Sequence, residues 1–336
     1  EVRFTGRDKD ILVELARAKK GDYECVIVQG SGTFSNESVI SSSVPKNGKL
    51  LVLVNGAYGR RLVAIATVHG IAVDSIDFGE DKLVDAATVE KALAADTAIT
   101  HVAIVHCETT TGIMNDIPAI GRVVKKAGRR YIVDSMSAFG GIPLDVPAAG
   151  IDFIVSSSNK CIEGVPGFAF VIAKKDALEA CKGNARSLVL DLYAQWEGLE
   201  KDGQFRFTPP THALLAFSQA LDELAAEGGI EVRTARYRAN HDYVIKAMRE
   251  LGFKAYLPDE LQGHIITSFF YPEDPKFDFT TFYNCLNDKG YVIYPGKVSN
   301  AACFRIGHIG RMDLNDARDL IAAVKDSVAE LGLKLK

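Results

Sequence analysis

At 336 residues the chain is too long for one small core and is expected to form about two domains. Apolar residues at 47% and charged residues at 24% exclude extensive disorder, and 39 Lys and Arg against 43 Asp and Glu, a net charge of −4 with no long basic run, argue against a nucleic-acid partner. No stretch approaches the roughly 18 to 20 apolar residues of a membrane span, and the start EVRFTGRDKD lacks a secretory apolar core, so a cytoplasmic protein is expected.

ECVIVQG opens a series of short β-rich runs, continued by KLLVLVNG, HVAIVHC, RYIVDS and DFIVSSS. Segments with helical periodicity, such as GRRLVAIATVHG and AATVEKALAAD, lie between them, and this alternation predicts a mostly parallel sheet. The runs end near Gly30, Asn55, Asp134 and Ser156 to Ser158, at the carboxyl edge where an open α/β sheet binds its ligand.

After the first strand, QGSGTFSNES leaves backbone N–H groups free to converge on one phosphate at the start of the next helix. A dinucleotide site is the rival reading, but Ser35 takes the place of the third glycine of GxGxxG, and Asn55 stands where a ribose-binding acid is wanted. A Gly-Ser-Gly turn without ligand is the plain alternative. Tyr58, just past the next strand, offers a flat ring for stacking on a planar heteroaromatic, or simply packs. In HCETTTG the hydroxyls of Thr109 to Thr111 can donate to a phenolate or carboxylate, or satisfy their own turn. His106, Cys107 and Glu108 have the composition of metal ligands, yet adjacent residues of an extended chain face opposite ways, and no metal is expected.

Asp134 ends the strand of YIVDSMSAFGG, and Lys160 follows the strand of FIVSSSNKCIEG. A strand-end aspartate can keep a pyridinium nitrogen protonated and a lysine beside it can form a Schiff base, the two protein groups that pyridoxal phosphate chemistry requires. A capping aspartate and a solvated lysine are the ordinary alternative. GFAFVIA then forms a strand, and RFTPPTH holds Thr208 stiffly ahead of two prolines, either as a linker or as a reach toward a neighbouring subunit. SLVLDLYAQWEG, with the single Trp196, receives no assignment. From about residue 229 a long amphipathic helix, the strand HIITSFFY, the helix FTTFYNCLNDKG, the strand ACFRIGHIG and a last helix predict a smaller α/β domain. Arg305 stands mid-strand there, paired structurally or clamping an acid group with two hydrogen bonds. Cysteines 25, 107, 161, 181, 285 and 303 form no CxxC pair and read as reduced, mostly packing residues.

Taken together, GSGTF, VNGAYGRR, HCETTTG, VDSMSAFGG, SSSNKCIEGVPGFAF, RFTPPTH and FRIGHIG run in order along nearly the whole chain, and the sequence resembles the class V, fold type I aminotransferases that use pyridoxal 5′-phosphate. The resemblance implies a large domain over residues 1–228, with a mostly parallel seven-stranded sheet flanked by helices, and a small C-terminal α/β domain over 229–336. It implies that Lys160 carries the cofactor as a Schiff base, that Asp134 pairs with its ring nitrogen and that Ser31, Gly32 and Thr33 bind its phosphate. Tyr58 takes the stacking place, Thr109 contacts the phenolic oxygen, and Thr208 reaches the phosphate of a partner subunit in a homodimer with shared sites. Arg305 holds the acid group of the substrate.

The variants HCETTTG and NKCIEGVPGF favour the branch that moves the amino group of 2-aminoethylphosphonate to pyruvate by a ping-pong route, with Lys160 kept neutral by burial and by the cofactor's charge. Alanine–glyoxylate or serine–pyruvate transamination on the same scaffold, a lyase or desulfurase, and a non-catalytic cofactor-binding protein are the alternatives. The family also carries an N-terminal segment with a Pro-Gly-Pro-like turn beside the substrate site. The present sequence starts after it, which implies omitted residues or an incomplete site.

Overall fold

The structure, a computed structural model, describes residues 6–335; the opening EVRFT, read above for a secretory core, lies outside them. The chain begins α1 (Gly6–Leu15), β1 (Tyr23–Gln29), α2 (Gly32–Ser43), β2 (Lys49–Val54), α3 (Ala57–Val68), β3 (Ala72–Asp77), α4 (Ala86–Ala95) and β4 (Ile99–Val105). A small hairpin, β5 (Cys107–Glu108) and β6 (Ile113–Met114), precedes α5 (Ile117–Lys126), β7 (Arg130–Asp134), β8 (Phe153–Ser157) and β9 (Phe168–Lys174). Four helices follow: α6 (Lys175–Glu179), α7 (Leu192–Asp202), α8 (Thr211–Glu227) and α9 (Ile230–Glu250). The remainder is β10 (Ile266–Phe270), α10 (Phe279–Asp288), β11 (Tyr294–Pro295), β12 (Cys303–Gly307) and α11 (Leu314–Glu330).

A seven-stranded sheet runs in the order β1-β9-β8-β7-β4-β2-β3. The block from β8 to β3 is parallel throughout. β9 is antiparallel to both of its neighbours, so β1 points the same way as β8. The carboxyl ends of β1, β8, β7, β4 and β2 therefore share one edge. Alternate residues of each strand enter opposite apolar layers: Leu51, Ile104, Val133 and Phe170 pack on one face and Val52, Ala103, Ile132 and Val171 on the other. Both faces are covered, which is why these runs read as continuously apolar.

Local chemistry fixes the helices. α5 starts where the Asp116 carboxylate accepts the Ala119 N–H at 2.9 Å, carries Pro118 in its first turn and ends on Lys125 and Lys126. α11 starts with a reciprocal capping box between Asp313 and Asp316. The unassigned segment around Trp196 is α7, capped by Asp191, and Trp196 packs against Tyr193 and the apolar layer. A Cβ built on Gly121 of α5 would lie 1.8 Å from the Ala149 carbonyl oxygen. Gly121→Ala should thus lower stability by about 1–3 kcal/mol despite the ~1 kcal/mol gain in helix propensity, read as a drop in the urea midpoint.

The second sheet, β10-β12-β11, is antiparallel. Val244 and Met248 of α9, Phe282 of α10 and Leu320 and Val324 of α11 pack with Phe269 and Phe304 of the strands in one cluster. This sheet grips the β5–β6 turn. Ser268 donates to the Thr110 carbonyl at 3.1 Å, and Gly112, at φ +107, would carry a Cβ 2.2 Å from the Ile266 carbonyl oxygen, so the position excludes any side chain. No helix among the described residues is long and apolar enough to cross a membrane.

Candidate active site

The parallel register places Asp134 beside Val105 of β4 and Val155 of β8, so the chain leaves three neighbouring strand ends toward Thr109, Asp134 and Lys160. Asp134 is buried. Its Oδ1 accepts the Met136 N–H at 2.9 Å and its Oδ2 accepts the Asn36 amide at 2.7 Å. Burial raises its pKa, with those two hydrogen bonds and the charge of Arg61 acting against the rise. Among the described residues no cation lies within ion-pairing distance of it. A buried carboxylate in this state favours a cationic hydrogen-bond donor.

Ser31 is the N-cap of α2, and no side chain caps the helix, which leaves first-turn N–H groups for an anion. Gly30 stands at φ +111 and donates to the Gly167 carbonyl at 3.0 Å, joining this cup to the turn ahead of β9. A Cβ on Gly32 would meet the Met136 sulfur at 2.2 Å, so the cup lies against the residues that follow Asp134. Arg61, which sequence reasoning missed, donates to the Thr33 hydroxyl at 3.3 Å and adds a positive charge.

Tyr58, Thr109, Ser137, Lys160, Lys297 and Arg305 line one cleft of about 760 Å³, a size suited to a small ligand. Arg305 is buried in β12, and its Nε and Nη1 donate to the carbonyls of Pro295 and Thr109 at 3.1 and 2.7 Å. Lys297 reaches the Tyr58 hydroxyl at 3.3 Å, and its Nζ lies 5.1 Å from the ring centroid, with the Arg61 guanidinium 4.9 Å from the same centroid. Burial pushes the Tyr58 phenol upward, but the Thr109 hydroxyl and the charges of Lys297 and Arg305 outweigh it and hold the pKa below its ordinary value.

Lys160 is exposed in the single chain. Its loop is nonetheless closed: Gly164 N–H donates to Ser158 O at 2.9 Å, and the Ser158 hydroxyl donates to the Val165 carbonyl at 2.7 Å. Thr208 lies on the surface outside the cleft, yet the neighbouring Phe207 carbonyl accepts from Gln29, next to the cup. The buried Glu108 carboxylate accepts the N–H groups of Tyr58 and Gly59, capping α3, together with the Thr110 hydroxyl. Buried His106 shares a 3.0 Å hydrogen bond with Ser135. No group of three or more metal-ligating side chains occurs among the described residues. Cys161 is buried, its thiol donating to the Ser137 carbonyl, and Cys303 is buried in β12.

An open α/β sheet with an uncapped helix start, a buried acid and a lysine at one edge defines a transaminase scaffold, and the chain belongs to the class V aminotransferase family, whose description matches residues 14–300. It is 53% identical to the 2-aminoethylphosphonate–pyruvate transaminase of Phocaeicola vulgatus over 94% of this chain and 87% of that protein. It is 52% identical to the enzyme of the same name from Klebsiella pneumoniae, over 94% and 86%. Among solved structures, pyridoxamine–pyruvate aminotransferase of Mesorhizobium loti superposes with TM-score 0.89 at 24% identity, covering 98% of this chain and 84% of that one. Alanine–glyoxylate aminotransferase of Nostoc gives 0.88 at 22% identity, covering 97% and 86%. At such identities the structures establish the fold, and the expected α/β architecture with its seven-stranded sheet stands.

Proposed function

We propose that this chain, loaded with pyridoxal 5′-phosphate, transfers the amino group of 2-aminoethylphosphonate to pyruvate, giving phosphonoacetaldehyde and L-alanine. The observation that carries the reading is that Asp134 and the Lys160 loop lie at neighbouring strand ends while Lys160 and Arg305 line one cleft, in a chain half identical to transaminases of that name. The donor set suits the cofactor: a buried carboxylate lacking a cation, a buried Asn36 Oδ1 without a partner beside it, and an uncapped helix start. When bound, the cofactor supplies an electron sink for the carbon that bears the amine.

The chain's own residues do the rest. Asp134 would hold a proton on the ring nitrogen, with its carboxylate oriented by Asn36. Ser31, Gly32 and Thr33 would hold the phosphate, with Arg61 beside Thr33. Tyr58 would stack on the ring, and Thr109 would meet its phenolic oxygen. Lys160 would hold the cofactor through its Nζ and, as a free amine, would take and return the proton at the substrate carbon. Arg305 holds the acid group of each substrate in turn. Residues 1–228 form the cofactor domain and 229–336 the smaller one.

The protein acts as a cytoplasmic homodimer in which Thr208 reaches the partner's phosphate. Phe34 and Phe207, exposed near the cup of a single chain, support a face that a second subunit covers. In the deciding experiment the loaded protein meets 2-aminoethylphosphonate without any oxo acid. Its visible absorbance should bleach and return on addition of pyruvate. Bleaching by L-serine but not by the phosphonate would overturn the substrate and leave the family standing.

A further inference from the structure

Besides Lys160, two cations of the cleft have no carboxylate to neutralise them among the described residues. Neither Lys297 nor Arg305 has an acid within ion-pairing distance among the described residues. The acidic residue lining the cleft is Asp316, whose carboxylate accepts the Asp313 N–H at 2.8 Å in the capping box of α11. The cations differ in kind. Arg305 is buried and fixed through Nε and Nη1, and its Nη2 has no hydrogen-bond partner among the described residues. Lys297 is exposed, with its ammonium resting on the hydroxyl and face of Tyr58.

Its loop is held from the large sheet's side, because Ser299 N–H donates at 2.8 Å to Glu80, a buried carboxylate paired with Arg60. Thr109 and Tyr58 connect the two cations, since Arg305 donates to the Thr109 carbonyl and Lys297 to the Tyr58 hydroxyl.

We infer that Lys297 is a specificity-determining residue, the second arm of a clamp with Arg305 that recognises a doubly charged phosphonate; the inference rests on the function proposed above. A phosphonate has three oxygens, and its second ionisation lies near neutrality, so it presents a dianion where pyruvate and alanine present a single negative charge on two oxygens. A guanidinium fork satisfies a carboxylate alone, and a point-charge ammonium meets the third phosphonate oxygen. In the alternate half-reaction the carboxylate rests on Arg305, and Lys297 returns to Tyr58. A site with a fixed arm and a movable one thus serves both acids.

The test is Lys297→Met in the full, cofactor-loaded chain, a surface change that spares the core. KM for 2-aminoethylphosphonate should rise on the order of 10- to 100-fold while KM for pyruvate and for L-alanine stays within ~3-fold, and Lys297→Arg should restore most of the loss. Calorimetry with unreactive ethylphosphonate and propionate gives a reading independent of turnover. The wild type should prefer ethylphosphonate increasingly as pH rises through its second ionisation, and Lys297→Met should lose that preference. Equal changes for both anions, or none, overturn the clamp. Should the wild type fail to bleach with 2-aminoethylphosphonate, the proposed substrate falls, and the ethylphosphonate-to-propionate ratio still decides the clamp by itself.

Discussion

Lys160→Ala abolishes transamination and leaves the fold intact. The side chain is exposed and has no hydrogen-bond or ion-pair partner among the described residues, so its removal opens no cavity and strands no charge; surface changes of this kind stay within about 0.5 kcal/mol. The amine itself has no substitute nearby. Of the other cations of the cleft, Lys297 and Arg305 are turned to Tyr58 and to the carbonyls of Thr109 and Pro295, and Arg311 is paired with Glu223. Loss of the proton-transferring group alone lowers kcat by roughly 10²- to 10⁴-fold, and loss of the covalent link to the cofactor adds to it. The expected signature is a wild-type melting curve, an altered visible spectrum after loading, and no bleaching by amines that is reversed by pyruvate. Turnover within tenfold of wild type would remove Lys160 from the chemistry.

The parts of the site legible in the sequence are those delivered by strand ends. Asp134 closes the apolar run of β7 and Lys160 follows the end of β8 after a run of serines, and strand alternation puts such ends on one edge whatever the tertiary detail. Asn36, Arg61 and Lys297 escaped because they arrive from helix interiors and a loop distant in sequence. Asn36 is one polar residue among the serines of α2, and only the packing of α2 across the sheet aims it at Asp134. Glu108 was read with His106 and Cys107 as a possible metal ligand, while its carboxylate caps α3 some fifty residues earlier. Lys297 had a faint signal: it follows a Pro-Gly pair and stands eight residues before Arg305. The exposure of Lys160 was illegible because it depends on what a single chain leaves open.

Arg233→Met has the largest expected effect on stability, about 3–5 kcal/mol, because it removes a fully buried cation from a network of acids. Arg233 Nε and Nη2 donate to Glu227 at 2.9 and 2.8 Å, and Nη1 donates to the Cys161 carbonyl at 2.8 Å, the residue next to Lys160. Glu163, in the same loop, accepts from Arg236 at 2.9 Å and from the Tyr237 hydroxyl at 2.5 Å. α9 therefore holds the lysine loop at two points. The grip matters because Glu163 stands at φ +65, a conformation that costs a non-glycine residue about 1–3 kcal/mol and persists only where its surroundings enforce it. Without Arg233 the Cys161 carbonyl loses its donor, Glu163 and Glu227 crowd on Arg236 alone, and the strained turn is free to relax. The urea midpoint should fall accordingly, and what activity survives should show a lower kcat with KM for both substrates little changed, since neither Arg305 nor Lys297 touches this network. A midpoint shift worth less than about 1 kcal/mol would mean that Ser158 and its carbonyl partners hold the loop without α9.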